Sequence, residues 1–509
     1  MTDYQVIIVG SGIGGLCCGS LLALSGKKVL ICEAHTQAGG VAHSFKKKGY
    51  TFESGPSLWS GINKWPTNNP LGQILKLIDE DVELIKYKEW QVLVPEGNFR
   101  LEVGEIPFKN QIKLMRGNKS VQEWESFISE IKPLSQIINK IPLLSFSPES
   151  INFSDVLNLT SKFLPNIKLL PRINKGFGDL VDCHLEDPFL RNWVDLLSFL
   201  ISGMPMHDTN TAAMATLFNE WFEPNSYLEY PKGGSESIVK ALINGLKKNG
   251  GELKLLSRVK AINFKNNLAT GVTLENGSNY NCETVVLNTD IWSSKKLIPQ
   301  SITKKWKKHL LNPDKCDSFL HIHLGFNGKG LNNLPIHTIN VDKWERGITA
   351  ERNITVFSIP SVLDKNMAPN GKHVLHGYTP ANEPWEIWET LDPNGLSYKN
   401  LKEERCSIFL NALKKVIPDI EERIEIKMLG TPLTHRKFTN TYCGSYGPAI
   451  SAEKSLFPGS KTPIKNLFAC GASTFPGIGI PAVAASGAYA AEKIIGKKAF
   501  KNLLKKIEL

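Results

Sequence analysis

The first 33 residues carry the pattern that most constrains the fold of this chain. A β-branched apolar run at residues 6–9 leads into a glycine-rich turn, and a segment of small and apolar residues follows. A second apolar run at residues 29–32 ends at Glu33. This order of strand, glycine loop, helix, strand and carboxylate is that of a dinucleotide-binding βαβ unit. It predicts an α/β protein whose first domain is of the Rossmann type.

Each position of the loop requires glycine for a physical reason. Gly10 permits the tight turn, Gly12 lets the backbone approach a pyrophosphate, and Gly15 lets the helix pack closely on the strand. Gly14 completes the loop, and the diphosphate would meet the free N–H groups at the start of the helix. Glu33 stands where a carboxylate can bond both hydroxyls of an adenosine ribose. The unit by itself leaves NAD and FAD both open.

Length and composition exclude several classes of protein. A chain of 509 residues with 41% apolar and 21% charged residues is typical of a soluble globular protein with two domains. The sequence contains no run of about 18 apolar residues, so we predict no membrane-spanning helix. The first strand begins close to Met1, so we expect no targeting peptide and a cytoplasmic location. Nine cysteines without paired spacing predict reduced thiols rather than disulfides or a zinc site.

The charge of the chain bears on its partners. The net charge is +11, yet no Lys/Arg cluster interleaves with aromatic residues, so we expect no nucleic-acid partner. Peripheral contact with an anionic membrane is the better candidate. The tail supports it, because Phe500, Leu503, Leu504 and Ile507 share one face of a lysine-flanked helix. The alternative is a terminal helix that packs on the protein with its lysines in solvent.

Segments typical of a nucleotide-binding domain occur at the start, middle and end of the chain, which predicts a discontinuous domain with inserts. The apolar stretch 193–222 could line a cavity for an apolar ligand or form an ordinary buried helix pair. The predicted dinucleotide-binding domain comprises residues 1–75, 226–310 and 445–509, and an inserted α+β domain for substrate binding and membrane contact comprises residues 76–225 and 311–444.

Residues 466–487, NLFACGASTFPGIGIPAVAASG, narrow the choice of dinucleotide. This segment resembles the C-terminal flavin motif of the carotenoid isomerase-like and bacterial-type phytoene desaturase family of FAD-dependent oxidoreductases. The resemblance covers most of the chain. It continues in residues 49–61 (GYTFESGPSLWSG), 230–242, 316–326, 371–385 and 431–449, of which 316–326 and 371–385 look most like the carotenoid isomerase-like branch of cyanobacteria and plants.

The resemblance implies that the dinucleotide is FAD and that it lies extended across the whole chain. The diphosphate would lie on the first glycine loop, the adenine beside Val259, and the ribityl chain at the Gly471 loop. The start of the next helix would point at the flavin ring, where its dipole favours negative charge on the reduced flavin. The implied cofactor-binding residues are Gly10, Gly12, Gly14, Gly15, Glu33, Gly39, Gly40, Gly55, Pro56, Val259, Gly471, Ala472, Ile480, Ala482 and Val483.

Few residues qualify as catalytic candidates beside the flavin. Glu53 would have a raised pKa if it is desolvated near the flavin, and it could then move a proton; the alternative is a salt-bridged structural acid. His321 and His323 alternate on a strand and share a face, without evident third and fourth metal ligands. We therefore predict no metal site and expect these histidines to face an internal cavity or a neighbouring sheet. No nucleophile elbow supports hydrolase chemistry.

The resemblance implies a carotenoid cis–trans isomerase that acts on a poly-cis, lycopene-like polyene without net redox change. One alternative is a phytoene-type carotenoid desaturase or another FAD-dependent isoprenoid or retinoid oxidoreductase. A second is a flavin-binding, membrane-associated chaperone or regulatory protein without turnover. Two residues suggest this second alternative: Ala472, where many flavoproteins have Asp, and Val41, where a basic residue is common. The sequence makes no prediction about oligomeric state.

Overall fold

A computed structural model describes residues 2–55, 57–139, 143–145, 149, 175–304, 312–452 and 457–508. Its β-strands are β1 (Tyr4–Val9), β2 (Val29–Cys32), β3 (Ser44–Lys47), β4 (Tyr50–Glu53), β5 (Leu84–Tyr87), β6 (Glu89–Val94), β7 (Gly97–Glu102), β8 (Leu228–Pro231), β9 (Glu252–Lys254), β10 (Val259–Lys265), β11 (Leu268–Leu274), β12 (Asn279–Leu287), β13 (His321–Asn327), β14 (His337–Val341), β15 (Ile354–Ser358), β16 (Lys372–Tyr378), β17 (Ile424–Gly430) and β18 (Leu467–Ala469).

The α-helices of the described residues lie between and around these strands. They are α1 (Ile13–Leu24), α2 (Pro70–Leu77), α3 (Glu105–Arg116), α4 (Asn118–Asn139), α5 (Phe177–His184), α6 (Pro188–Ser202), α7 (Thr211–Phe222), α8 (Ser235–Lys248), α9 (Ile291–Lys296), α10 (Gln300–Thr303), α11 (Leu396–Leu413), α12 (Ile420–Arg423), α13 (Pro432–Thr439), α14 (Ile480–Ile495) and α15 (Lys497–Leu504).

The first seven-stranded sheet has the order β10-β11-β12-β1-β2-β9, and β18 pairs with the end of β12. Strands β9, β2, β1, β12 and β18 pair in parallel, whereas β10 and β11 are antiparallel additions. Strand β1 is apolar throughout because both of its faces are covered: Val6 and Ile8 lie in one core, Ile7 and Val9 in another. The predicted α/β fold with a Rossmann-type sheet is confirmed.

Helices from opposite ends of the chain cover one face of this sheet. α1 packs against α14 and α8, and nearly all of its residues are buried. Small residues make this close approach possible, since a side chain at Gly19 would bring its Cβ within 2.7 Å of Ile31 Cδ1. A side chain at Gly487 would bring its Cβ within 2.3 Å of the Gly14 carbonyl oxygen. The first and last segments of the chain are therefore parts of one packed unit.

The second seven-stranded sheet has the order β17-β13-β16-β15-β14-β6-β7. Its strands pair antiparallel except for β14 with β6. Along β13, Ile322 and Leu324 share a core with Phe409 of α11, while the alternate residues His321 and His323 lie on the opposite face. That face packs against the β3–β4 hairpin through Phe45 and Phe52. The sheet thus brings two histidines towards the segment that follows the hairpin.

The apolar stretch 193–222 forms a pair of largely buried helices. Trp193 of α6 and Phe218 of α7 are fully buried in the core of the second sheet. The Trp90 ring of β6 meets Trp193 and Trp221 edge-on at 6.1 and 5.5 Å. The structure thus shows the buried helix pair, and a cavity lined by part of this stretch stays a prediction.

The C-terminal tail also packs in the core. Phe500, Leu504 and Ile507 are 1%, 1% and 5% exposed, and they share a core with α1 and α2. The helical face that the sequence suggested for a membrane is therefore covered by protein, so the alternative of a packed terminal helix is correct. Within the described residues, no helix has the length and apolar character needed to cross a bilayer. All nine cysteines are free thiols.

The two sheets take their strands from alternating parts of the chain. The first draws on residues 4–32, 252–287 and 467–469, and the second on residues 89–102 and 321–430. This alternation is compatible with the discontinuous domain proposed above. The boundaries at 75, 226, 310 and 445 stay a prediction.

Candidate dinucleotide site

The glycine loop between β1 and α1 has a geometry that fits a diphosphate. Gly10 has a φ of +97°, which a residue with a side chain rarely adopts. A side chain at Gly15 would place its Cβ 2.3 Å from the Gly10 carbonyl oxygen. Gly12 is the N-cap of α1, and no side chain caps the helix there. The start of α1 is therefore suited to an anionic ligand.

The second Gly–Gly turn lies directly against this loop. Gly39 and Gly40 have φ values of +110° and +62°. The Gly39 N–H donates to the Ser11 carbonyl at 3.0 Å. A side chain at Gly40 would bring its Cβ within 3.2 Å of the Gly12 Cα. The structure thus brings together two backbone turns that are well separated in sequence.

Glu33 lies at the end of β2 with its carboxylate beside the loop. Its Oε2 accepts hydrogen bonds from the Ser11 N–H at 2.8 Å and the Ser11 hydroxyl at 2.6 Å. The adjacent strand segment is joined to it, because the Ser257 N–H donates to the Glu33 carbonyl at 2.7 Å. Val259, the first residue of β10, follows this contact and is buried. The position of the carboxylate is compatible with a ribose contact.

Asn288 is a residue of this site that the sequence interpretation did not single out. It follows β12, and its Nδ2 donates to the carbonyl oxygens of Gly10 and Gly12 at 3.2 and 3.4 Å. A side chain at Gly14 or Gly471 would bring its Cβ within 2.9 or 2.7 Å of Asn288 Oδ1. Asn288 thus fixes the glycine loop against the C-terminal motif. The feature that could have identified Asn288 is its position as a polar residue at the carboxyl end of a parallel strand next to β1.

The C-terminal motif ends in a second uncapped helix. Gly471 has a φ of +95°, and its N–H donates to the Ser486 hydroxyl of α14 at 2.8 Å. No side chain caps α14 at its N-cap Gly479. A side chain at Gly14 would place its Cβ 3.0 Å from the Val483 carbonyl, so α14 begins close to the first loop. The remaining predicted residues of this motif, Ala472, Ile480 and Ala482, are half-buried.

The loop after β4 contains the other predicted contacts. A side chain at Gly55 would place its Cβ 2.4 Å from the Val41 carbonyl oxygen, so this loop packs against the turn that contains Gly39 and Gly40. Pro56 lies outside the described residues. The Val41 side chain is 40% exposed beside this loop.

The carboxylate of Glu53 is 1% exposed and hydrogen-bonded to hydroxyl and N–H groups. Its Oε1 accepts from the Ser44 hydroxyl at 2.9 Å and the Ser235 N–H at 3.1 Å, and its Oε2 accepts from the Ser235 hydroxyl. Burial raises the pKa of Glu53, and these hydrogen bonds oppose the rise. Glu53 thus holds the start of α8 as a structural acid without a salt bridge. A catalytic role for it stays a prediction.

Four of the 11 histidines, His321, His323, His376 and His435, form one group that we call the histidine cluster. His376 of β16 is paired with His323 across the sheet, and their rings stack at 4.7 Å. His321 Nδ1 lies 3.1 Å from His376 Nε2. His435 of α13 lies 5.6 Å from the His321 ring. His323 faces a neighbouring sheet as expected, since it contacts Phe45 and Phe52 of the β3–β4 hairpin, and His376 and His435 are two unforeseen neighbours of the pair.

Burial lowers the pKa of every member of the histidine cluster. The pKa values of His323 and His435 fall to about 4, and those of His321 and His376 lie well below the usual value. Neighbouring histidines add to the effect at His321 and His376. In the part of the chain that the structure describes, no group of His, Cys, Asp or Glu side chains is arranged to hold a metal ion.

Hydrogen bonds connect the histidine cluster to the glycine turns. His323 Nε2 donates to the Glu53 carbonyl at 3.0 Å. His43 Nδ1 donates to the Gly40 carbonyl at 2.7 Å, and its Nε2 lies 3.0 Å from the Ser54 hydroxyl. The histidine face of the second sheet therefore lies across the β4 loop from the Gly39–Gly40 turn.

Comparisons with known proteins agree with this geometry. The family described as flavin containing amine oxidoreductase matches residues 13–495. A chloroplastic prolycopene isomerase of an Oncidium hybrid cultivar is 31% identical over 97% of this chain and 84% of its own. A 1-hydroxycarotenoid 3,4-desaturase of a Flavobacterium strain is 25% identical over 96% and 99%.

A solved structure shares the fold. Putrescine oxidase with bound putrescine superposes with a TM-score of 0.64 at 13% identity, over 97% of this chain and 99% of that one. The match covers both seven-stranded sheets. Two uncapped helix starts, two glycine turns and a carboxylate at the end of β2 are features that suit a dinucleotide.

Proposed function

Because the chain belongs to the flavin-containing amine oxidoreductase family and its cofactor is FAD, we propose that it is a carotenoid cis–trans isomerase. It would convert a poly-cis, lycopene-like polyene to the all-trans form. The observation that carries the proposal is the likeness to a prolycopene isomerase, which runs through both sheets at 31% identity. The face of histidine and aromatic rings across the β4 loop from the Gly39–Gly40 turn suits a hydrocarbon substrate, because burial lowers the pKa of its histidines and so disfavours charge there.

Bound FAD supplies reversible transfer of electrons or hydride, and the chain supplies position and exclusion of water. We assign the diphosphate to the glycine loop at Gly10 and Gly12 and to the start of α1. We assign the ribose to Glu33. The uncapped start of α14 would stabilise negative charge on the ring system. Asn288 holds the two glycine segments in register. The remaining predicted contacts are Gly39, Gly40, Gly55, Pro56, Val259, Gly471, Ala472, Ile480, Ala482 and Val483.

A carotenoid desaturase is the second candidate, and the 25% identical desaturase relative favours it. A desaturase removes two hydrogens from its substrate and needs an external electron acceptor, whereas an isomerase returns its substrate at the same mass. The two activities therefore differ in the product and in the demand for an acceptor.

We also propose that the protein contacts a membrane from one side, because a carotenoid substrate is dissolved in lipid. The net charge of +11 suits an anionic bilayer surface. The apolar residues of the tail are buried, so the contact would be made by another surface, and we assign it to the inserted domain.

The test uses the purified, FAD-loaded protein, liposomes that contain a poly-cis carotenoid, and anaerobic reducing conditions. We expect an all-trans product of unchanged mass, measured by chromatography and mass spectrometry. A product lighter by two hydrogens would replace the isomerase with the desaturase. Bound, reducible flavin without any change of the polyene would overturn both, and it would favour the flavin-binding protein without turnover.

A further inference from the structure

The arrangement of the histidine cluster disfavours positive charge on its rings. The hydrogen bond between His321 and His376 requires one ring nitrogen to act as acceptor, so at least one of the two rings is neutral. The His323 and His376 rings stack at 4.7 Å with 13° between their planes. Two imidazolium charges at that separation inside a protein would repel each other strongly. The geometry therefore disfavours protonation of neighbouring members.

Among the described residues, the rings that pack on the cluster are aromatic and carry no charge that would stabilise a protonated imidazole. Phe319 stacks on His435 at 5.1 Å, Tyr378 lies 5.5 Å from His376, and Phe45 meets His323 edge-on at 5.3 Å. Neighbouring histidines, including His43 beside His323, further disfavour a positive charge on His321, His323 and His376.

The Glu53 carboxylate and the Arg436 guanidinium have partners outside the cluster. Glu53 contacts the cluster through its backbone carbonyl, while its carboxylate bonds Ser235 at the start of α8. Arg436, next to His435 in sequence, lies over the Trp385 ring at 4.8 Å. The cluster is therefore a polar surface of stacked aromatic and imidazole rings without a fixed charge.

Part of this surface is accessible. The His321, His323 and His435 side chains are half-buried, whereas His376 is 1% exposed. Partly accessible rings that stack with aromatic neighbours are typical of the wall of a binding cavity.

We propose that the histidine cluster is the wall of the substrate cavity that admits neutral polyenes and excludes charged ligands. This inference rests on the proposed function and names the residues that select its substrate. A conjugated chain packs on the flat faces of neutral rings. A carboxylate or ammonium group would lose its hydration there without gaining a counter-charge. The cluster would thereby separate this chain from relatives whose substrates are amines.

The test measures binding rather than turnover. The FAD-loaded protein is titrated with a C40 polyene hydrocarbon in detergent micelles, and quenching of tryptophan fluorescence gives the dissociation constant. His321→Phe keeps a neutral ring, so we expect an affinity within about threefold of the wild type. His321→Lys places a fixed charge in the wall, and we expect binding weaker by about 30-fold or more, because the buried charge has no partner.

His373→Lys is the matched control. His373 lies on β16, the strand paired with the β13 strand of His321, but its ring bonds the Ser361 hydroxyl and it is not a member of the cluster. We expect it to bind the polyene as the wild type does. FAD content and thermal unfolding of each variant show whether it has folded.

A competition experiment on the wild type needs no variant, so it tests the inference even if His321→Lys fails to fold. Retinol and retinoate differ in charge but share a polyene chain, and we expect retinol to displace the carotenoid at a concentration at least about tenfold lower. Equal displacement by both, or equal carotenoid affinity of His321→Lys and the wild type, overturns the inference and leaves the isomerase standing. A wild type that binds no polyene overturns the proposed function as well.

Discussion

At the scale of single residues, Asn288 shows what the sequence pattern concealed. The glycine loop and the Gly471 motif are recognisable from their own letters, because each contains the small residues that a close backbone approach requires. The side chain that joins them is a single asparagine after a strand, in a segment with no motif of its own. Its role follows from the parallel pairing of β1, β12 and β18, which a sequence pattern does not specify.

Replacing Asn288 by aspartate tests this role. The carboxylate would lose the Nδ2 donor and face the Gly10 and Gly12 carbonyl oxygens as well as the bound diphosphate. We expect FAD affinity to fall by about 10- to 100-fold, which corresponds to about 1–3 kcal/mol for lost hydrogen bonds and added repulsion. FAD titration by flavin fluorescence gives the value. Asn276→Asp in the exposed β11–β12 turn is the control, and an equal loss there would contradict the role.

Glu53 gives a prediction in which the sign of a pH effect can be tested. Its pKa is raised in the folded protein, so the folded state holds this proton more tightly than the unfolded state. Its contribution to stability is therefore full at low pH and is lost as the pH rises through the folded pKa. We expect Glu53→Gln to be at least as stable as the wild type at pH 7, and any advantage to shrink as the pH falls towards 4.

Denaturant unfolding of the two proteins at several pH values measures this difference. Glu53→Ala is the companion variant, because it leaves the Ser44 hydroxyl and the Ser235 N–H without their acceptor. We expect it to lose about 1–3 kcal/mol of stability. An advantage of Glu53→Gln that grows towards acid pH would contradict the assignment. Retained turnover in Glu53→Gln would fit a structural rather than a catalytic acid.

At the scale of elements, the local pattern predicted each piece and tertiary pairing decided its neighbours. The β1–α1–β2 unit was predictable because its periodicity, glycine loop and carboxylate agree with one another. His321 and His323 could be placed on one face of a strand by alternation alone. His376 and His435 could not be added to them, because the β13–β16 register and the docking of α13 join residues that are distant in sequence.

The crossing of α1 and α14 depends on Gly14. A Cβ there would lie 2.9 Å from Asn288 Oδ1, 3.0 Å from the Val483 carbonyl and 3.1 Å from the Gly471 Cα. Because two of these neighbours are backbone, Gly14→Ala must shift the helix starts apart. We expect a loss of about 1–3 kcal/mol in stability together with weaker FAD binding.

Thermal unfolding with and without FAD measures both effects of Gly14→Ala. Gly97, the first residue of β7, is the matched control, since a Cβ there would meet nothing within 4 Å. We expect Gly97→Ala to bind FAD as the wild type does. If Gly14→Ala matched this control, the close contact at the crossing would be refuted.

At the scale of the whole molecule, the alternation of segments along the chain predicted how the domain is assembled. The sequence did not predict which apolar faces remain at the surface. Nucleotide-type segments at both ends and in the middle predicted one domain assembled from distant parts, and the first sheet does draw on all three. The tail shows why the outer surface is harder to predict. Helical periodicity identified its apolar face correctly, but that pattern is the same whether protein or lipid covers the face.

The buried tail leads to a prediction that separates stability from membrane contact. Phe500 is 1% exposed in the core beside α1, so Phe500→Ala creates a cavity, and we expect a loss of about 3–5 kcal/mol. Lys498→Gln changes only an exposed charge and serves as the control, with wild-type stability expected.

Both variants are measured by denaturant unfolding and by sedimentation with anionic liposomes under conditions where they remain folded. Because the tail's apolar face is already covered, liposome binding of the folded variants should equal that of the wild type. A selective loss of liposome binding in Phe500→Ala at unchanged stability would mean that this face leaves the core to enter the bilayer.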